Sequence, residues 1–302
     1  MQPEAILAHP ATVLSEAQRR AYFDNGYLAV PDYVPKAWLD RLRDASRELI
    51  ERSRAVTHTD TVFILEEGHS AAAPRLHRIA SPGDHHPAFW DFMADPVMTD
   101  LAADVVGPDV KFHHSKLNMK TGQGSRGFKW HQDIQAWPHT DYSPVTIGVY
   151  LEGCTNEQGP LAIVPGSHKG RLYSMYDESG NFVVRIRDSE LGFLEGAKID
   201  APTGGPGTVL LLSCRAVHGS AVNTSPDPRP LLLTVYSSAD SFAYTPNPIP
   251  SPHSGDIVRG KPAQYASFDP RPCELPPDWR GGYRAPWTYQ KEEEERKKAA
   301  AY

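Results

Sequence analysis

The stretch Phe128-Lys129-Trp130-His131-Gln132-Asp133-Ile134-Gln135-Ala136-Trp137 decides how the rest of this chain is read. Its first half alternates bulky and polar residues, the pattern of a half-buried strand. Side chains two apart on a strand share a face, so His131 and Asp133 are expected to point the same way and Gln132 the other. An imidazole and a carboxylate aimed at one point can both reach a single metal ion. Alone, a His-x-Asp pair is a weak signal, because a buried histidine is more often a hydrogen-bonded core residue than a ligand.

Further along, Arg215-Ala216-Val217-His218-Gly219-Ser220 follows the most apolar strand-like run in the chain, residues 207–212. His218 is the natural third ligand. Two imidazoles and one carboxylate form the facial triad that leaves open positions on a mononuclear non-haem iron(II). Oxygen activation at such a site needs a chelating two-electron reductant, and 2-oxoglutarate supplies it through its 1-carboxylate and keto oxygen. Its far carboxylate must then be held. A guanidinium offers a planar, permanently charged fork, and a hydroxyl adds a hydrogen bond. Arg229, in Pro228-Arg229-Pro230-Leu231, and Ser220 are expected to do this from adjacent antiparallel strands, with Thr224-Ser225-Pro226-Asp227-Pro228 supplying the turn between them.

Outward from these motifs, short apolar runs at 110–119, 145–151, 161–164, 207–212 and 231–236 are separated by turn residues, with no helices alternating between them. Antiparallel pairing in a barrel or jelly roll follows, as a core over about 108–240. Before it lies a helical region over about 14–107. Ser15 with Gln18 reads as a capping box opening a helix that Gly26 closes, 27–30 is a short strand, and Pro35 starts an amphipathic helix carrying Trp38, Leu39, Leu42, Ala45, Leu49 and Ile50. Residues 62–65 read as a strand, and 87–93 and 95–106 as helices. After the core, about 241–302 is expected to wrap it, irregular over 245–287 and ending in a charged helix. In that helix Glu292/Arg296, Glu293/Lys297 and Glu294/Lys298 stand at i, i+4, and it is expected to be solvated. The expectation is one domain over 1–302, mainly β with helical additions.

The charge balance, 31 Lys and Arg against 37 Asp and Glu for a net −6, and the lack of a basic stripe argue against nucleic acid or an anionic membrane as partner. A small-molecule substrate is expected. Without a basic cluster, a CoA thioester is less favoured than other small molecules. No run is long and apolar enough for a membrane span, and the acidic start lacks a basic segment before an apolar one, so a cytoplasmic protein is expected. Cys154, Cys214 and Cys273 are too scattered for a disulfide framework.

Taken together, the start Leu14-Ser15-Glu16 to Gly26-Tyr27-Leu28, the block Gly159-Pro160-Leu161-Ala162-Ile163-Val164-Pro165-Gly166-Ser167-His168 and the set His131, Asp133, His218, Ser220, Arg229 resemble the phytanoyl-CoA dioxygenase family of 2-oxoglutarate oxygenases. The resemblance implies a double-stranded β-helix, or cupin-like jelly-roll, core. It also implies Fe(2+), 2-oxoglutarate as co-substrate and O2, with hydroxylation of an unactivated C–H bond and release of succinate and CO2. By position, Asn118 resembles an amide contacting the 2-oxoglutarate region, Tyr150 an aromatic lining the same pocket, and Trp137 a substrate-side aromatic of the family's ectoine hydroxylases. Leu233 stands where those hydroxylases use an aromatic, which argues against ectoine itself. Arg78 is similarly placed to a basic co-substrate contact, but its residue context favours a surface position. His113, His114, His139 and His168 are expected in turn or loop roles rather than as ligands. Two other readings stay open: a zinc-dependent hydrolase or isomerase, against which Arg229 speaks, and a catalytically silent jelly-roll binding protein, against which the complete ligand set speaks.

Overall fold

The computed structural model describes residues 2–122, 124–271, 273–277 and 284–300. Its elements run α1 (Pro3–Leu7), α2 (Glu16–Asn25), β1 (Tyr27–Val30), α3 (Lys36–Ser53), β2 (Phe63–Leu65), β3 (Leu76–Ala80), α4 (Pro82–His85), α5 (Pro87–Ala94) and α6 (Pro96–Val106), then β4 (Val110–Asn118), β5 (Phe128–His131), β6 (Val145–Tyr150), β7 (Leu161–Ile163), β8 (Val209–Ser213), β9 (His218–Ser220), β10 (Leu231–Ser238), β11 (Ile257–Arg259) and α7 (Pro286–Ala300). Local chemistry sets the helix ends. The Ser15 side chain and Gln18 form the expected capping box, Gly26 adopts φ 78° at the other end of α2, and the Asp95 carboxylate caps α6.

The strands form two antiparallel sheets. The larger runs β1-β8-β6-β10-β4-β3-β2, with β11 also on β4, and the smaller runs β5-β9-β7. This is the expected jelly roll. Alternation sorts the side chains of the large sheet. Val145, Ile147, Val149, Val209, Leu211, Leu232 and Tyr236 pack with the helices, whereas Thr146, Gly148, Leu210, Leu212, Leu231 and Leu233 line a cavity. Burying the helix-side apolar faces is the main driving force for this packing.

In β4 the alternation changes phase. Val235 of β10 pairs with His114 but Tyr236 pairs with Phe112, so His113 is an extra, bulged residue. Val110 and Phe112 face the helices before the bulge, and Leu117 does so after it. Lys116 and Asn118 therefore turn to the cavity. His113 and His114 thus lie in a strand rather than in the turns expected for them.

Two pieces depart from the sequence reading, and a third, the start of the chain, was given no structure by it. β11 forms within the stretch read as irregular, and the start of the chain is tied to α6, because the Asp104 carboxylate accepts hydrogen bonds from the backbone N–H groups of Thr12, Val13 and Leu14 at 2.7–2.9 Å. The charged helix α7 is docked rather than solvated: Glu293 is 5% exposed and pairs with the buried Arg185. Of the expected intrahelical pairs Glu293–Lys297 forms at 3.1 Å, while Arg296 reaches out to Asp177 and Glu292 pairs with Arg284.

Candidate metal centre and its cavity

β5 and β9 pair so that His131 lies directly opposite His218, and their ring centroids stand 4.0 Å apart. β5 ends at His131. Gln132 is still extended, with φ −127° and ψ 127°, and Asp133 begins a 3-10 turn, Asp133–Gln135. The expected sharing of a face therefore survives although Asp133 itself is off the strand. Nε2 of His131 and of His218 lie 3.6 and 3.9 Å from Asp133 Oδ1, and one ligand atom from each of the three residues fits within 4.8 Å of the others. Gln132 points away, as expected, donating to the carbonyls of Arg215 and Arg171 and accepting from the Tyr173 N–H.

The donor set is prepared for a metal. Nδ1 of His131 donates to the Lys129 carbonyl at 2.8 Å and Nδ1 of His218 to the Ala216 carbonyl at 2.9 Å, so each Nε2 presents its lone pair to the common point. The Thr146 hydroxyl donates to Asp133 Oδ2 at 3.0 Å, leaving Oδ1 for the ion. Burial and the neighbouring His131 push His218 down to about 3, which keeps it neutral at physiological pH. Burial resists ionising Asp133, yet Lys116, His218 and His131 together hold its carboxyl well below the ordinary carboxylate range.

On the cavity floor Arg229 is 3% exposed, and its Nε and Nη1 are buried without a hydrogen-bond partner. A planar fork of this kind calls for a carboxylate. Ser220 and Asn118 line the same cavity. Gly159 sits beneath it at φ 62°, with its carbonyl accepting from Lys120 and Arg229. A Cβ there would collide with the Ala221 carbonyl, so glycine is required.

Residues 22–231 match the phytanoyl-CoA dioxygenase (PhyH) family model. The chain belongs to the phytanoyl-CoA dioxygenase family. Among its relatives, it is 28% identical over 268 residues to an ectoine dioxygenase of Sphingopyxis alaskensis, covering 83% of this chain and 85% of that one. It is also 28% identical over 230 residues to a protein named "Probable alpha-ketoglutarate-dependent hypophosphite dioxygenase" in Stutzerimonas stutzeri, covering 74% and 79%. The crystal structure of EctD from S. alaskensis with 2-oxoglutarate and 5-hydroxyectoine superposes with a TM-score of 0.64 at 26% identity, covering 93% of this chain and 89% of that one.

Within this family member, the aromatic residues expected at the site lie elsewhere. Tyr150 is fully buried, but its hydroxyl is committed to the Pro202 carbonyl and the Leu161 N–H, and its ring backs the Arg229 guanidinium at 5.9 Å instead of lining the cavity. Trp137 packs in a buried cluster with His113, His114 and His139, because the 3-10 turn after Asp133 carries it behind the cavity wall. His139 and His168 hold the backbone carbonyls of Trp137 and Phe23, the loop roles expected of them. Arg78 is corrected in the opposite direction. It is buried rather than on the surface, donates from Nε to Asn118 Oδ1 at 3.0 Å and lines the cavity. Lys116, Lys120 and Trp287 also line it and were not anticipated. The parity of β4 contained the signal for Lys116, which is two residues from Asn118. Trp287, stacked on His77 at 4.6 Å, is brought in by α7 and has no local signature.

Proposed function

We propose that this chain is an Fe(II)- and 2-oxoglutarate-dependent dioxygenase that hydroxylates a C–H bond of a small molecule, with His131, Asp133 and His218 holding the iron. The observation that carries the reading is the pairing of this preset triad with the buried Arg229, whose Nε and Nη1 have no hydrogen-bond partner, in one cavity. Iron with 2-oxoglutarate and O2 supplies the C–H oxidation and the release of succinate and CO2.

The protein's own contribution is geometric and electrostatic. The two backbone carbonyls behind the imidazoles fix their tautomers, and Thr146 fixes the carboxylate. Arg229 and Ser220 take the far carboxylate of 2-oxoglutarate, with Asn118 contacting its body and Tyr150 stiffening Arg229 from behind. Leu210, Leu212, Leu231 and Leu233 keep the wall apolar and exclude water from the reacting bond. Trp287 covers the cavity, while Trp137 supports the wall from behind the ligand turn. Arg229 so placed speaks against a hydrolase, and the complete ligand set against a silent binding module. We place all three segments, residues 1–302, in one working domain acting in the cytoplasm; among the described residues no helix is long and apolar enough to cross a membrane.

Anaerobic addition of Fe(II) and 2-oxoglutarate tests the reading. A weak visible metal-to-ligand charge-transfer band is expected, together with its loss in Asp133→Ala and His218→Ala proteins of unchanged circular dichroism. A zinc enzyme or a silent module gives no such band.

A further inference from the structure

Five cationic side chains, Arg78, Lys116, Lys120, Arg126 and Arg229, line the cavity against a single carboxylate among its described walls, Asp133. The chain as a whole is acidic, with a net charge of −6, so the positive lining of the cavity runs against the overall charge. No stretch of sequence displays it, because the residues come from β3, β4, the loop after β4 and the loop just before β10.

Three of the five are accounted for. Lys120 Nζ donates to the carbonyls of Gly159 and Ala221, Arg229 faces the far carboxylate of 2-oxoglutarate, and Arg126 is exposed at the rim. Arg78, which the family resemblance also sets toward the co-substrate, and Lys116 remain. Arg78 is 3% exposed, its one hydrogen bond among the described residues goes from Nε to Asn118, and its guanidinium lies 5.0 Å from the Trp287 ring centroid. Lys116 makes no hydrogen bond or ion pair among the described residues and projects from the same sheet face, where β3 pairs Arg78 with Asn118 and Ala80 with Lys116.

Arg78 is buried and Lys116 half-buried, and Asp133 is the one carboxylate among the described walls facing them. Cations in excess of their counter-charge are costly in such a place, so they are retained where an anion arrives to meet them. A divalent ion and the dianionic 2-oxoglutarate cancel, and Asp133 offsets one of Arg78, Lys116 and Arg229. Whichever cation faces whichever co-substrate carboxylate, the cavity keeps surplus positive charge. We propose that the primary substrate carries a small oxyanion, a carboxylate or a phosphorus oxyacid group, bound by Arg78 and Lys116 beneath Trp287. This rests on the 2-oxoglutarate reading above.

The test uses the full chain loaded anaerobically with Fe(II) and 2-oxoglutarate, titrated in a calorimeter with matched probes. Methylphosphonate is compared with neutral dimethyl methylphosphonate, and butanoate with butanamide. The expected result is binding of at least one anion about 10-fold or more tighter than its neutral partner, and the tighter anion names the oxyanion class. Arg78→Met and Lys116→Met are each expected to weaken that anion by about 10-fold or more, and by more than they weaken 2-oxoglutarate. If the charge-transfer band forms but the anions bind no tighter than the neutral probes, or not at all, the oxyanion proposal is overturned while the co-substrate reading stands. If the band never forms, the co-substrate reading fails, and the oxyanion proposal built on it falls too.

Discussion

Thr146 holds Oδ2 of Asp133 and leaves Oδ1 open, and in the proposed function Arg229 is where the far carboxylate of the co-substrate ends. Thr146→Val removes the hydrogen bond to Oδ2 while keeping the shape of the side chain. Iron affinity, read by titrating the charge-transfer band against a chelator, is expected to fall roughly 10-fold or more, and Thr146→Ser to restore most of it. Arg229→Ala removes a buried charged fork. About 3 kcal/mol of binding is at stake, which raises the KM for 2-oxoglutarate on the order of 100-fold. Arg229→Lys recovers only part, because an ammonium cannot match two oxygens at once. An unchanged KM in Arg229→Ala would move the co-substrate elsewhere. At this scale the convergence of His131, Asp133 and His218, with Ser220 and Arg229 in the same cavity, was legible because the chemistry demands those residue types. The expected adjacency did not hold: Ser220 is in β9 of the small sheet and Arg229 precedes β10 of the large one. Arg78 was not, since its burial depends on β3 joining β4, and the local sequence of a short mixed strand says nothing about its neighbours.

At the scale of elements, most strands and helices could be read because apolar periodicity and caps are local properties. Docking is not local. The charged run 291–298 reads the same whether α7 floats or is pinned, because its decisive partner, Arg185, lies over a hundred residues away in a loop. Glu293→Ala leaves Arg185 with Asp188, which is largely exposed, and breaking a buried pair of this kind costs about 3 kcal/mol. Hydrogen exchange over 286–300 is expected to accelerate while β10 stays protected. Equal protection of α7 in the variant and the parent chain would show that the ion pair does not hold the helix. The phase change at His113 has equal weight, for without the extra residue Leu117 would face the cavity and Lys116 and Asn118 the helices.

Across the whole molecule, histidines buried in the neutral state link stability to pH. Burial pushes His139 down to about 4, and burial together with His131 pushes His218 to about 3; burial and neighbouring cations hold His113 and His114 far below the ordinary histidine range. In the unfolded chain the same imidazoles take up protons near 6.5. Between that value and about 4 the unfolded state therefore binds more protons, and stability is lost as pH falls through this window. Each such histidine costs on the order of 2 kcal/mol at pH 5. The Tm of metal-free protein is expected to drop steeply from pH 7 to 5, and His139→Asn to flatten part of the drop; a level profile would contradict the neutral burial of these rings. The triad adds a consequence for assembly. Its third member joins the first two only when β9, 87 residues on from His131 at His218, has zipped onto β5, so a half-made chain would offer a metal only a two-point grip. The complete three-point site therefore exists only where that long-range strand pairing is made.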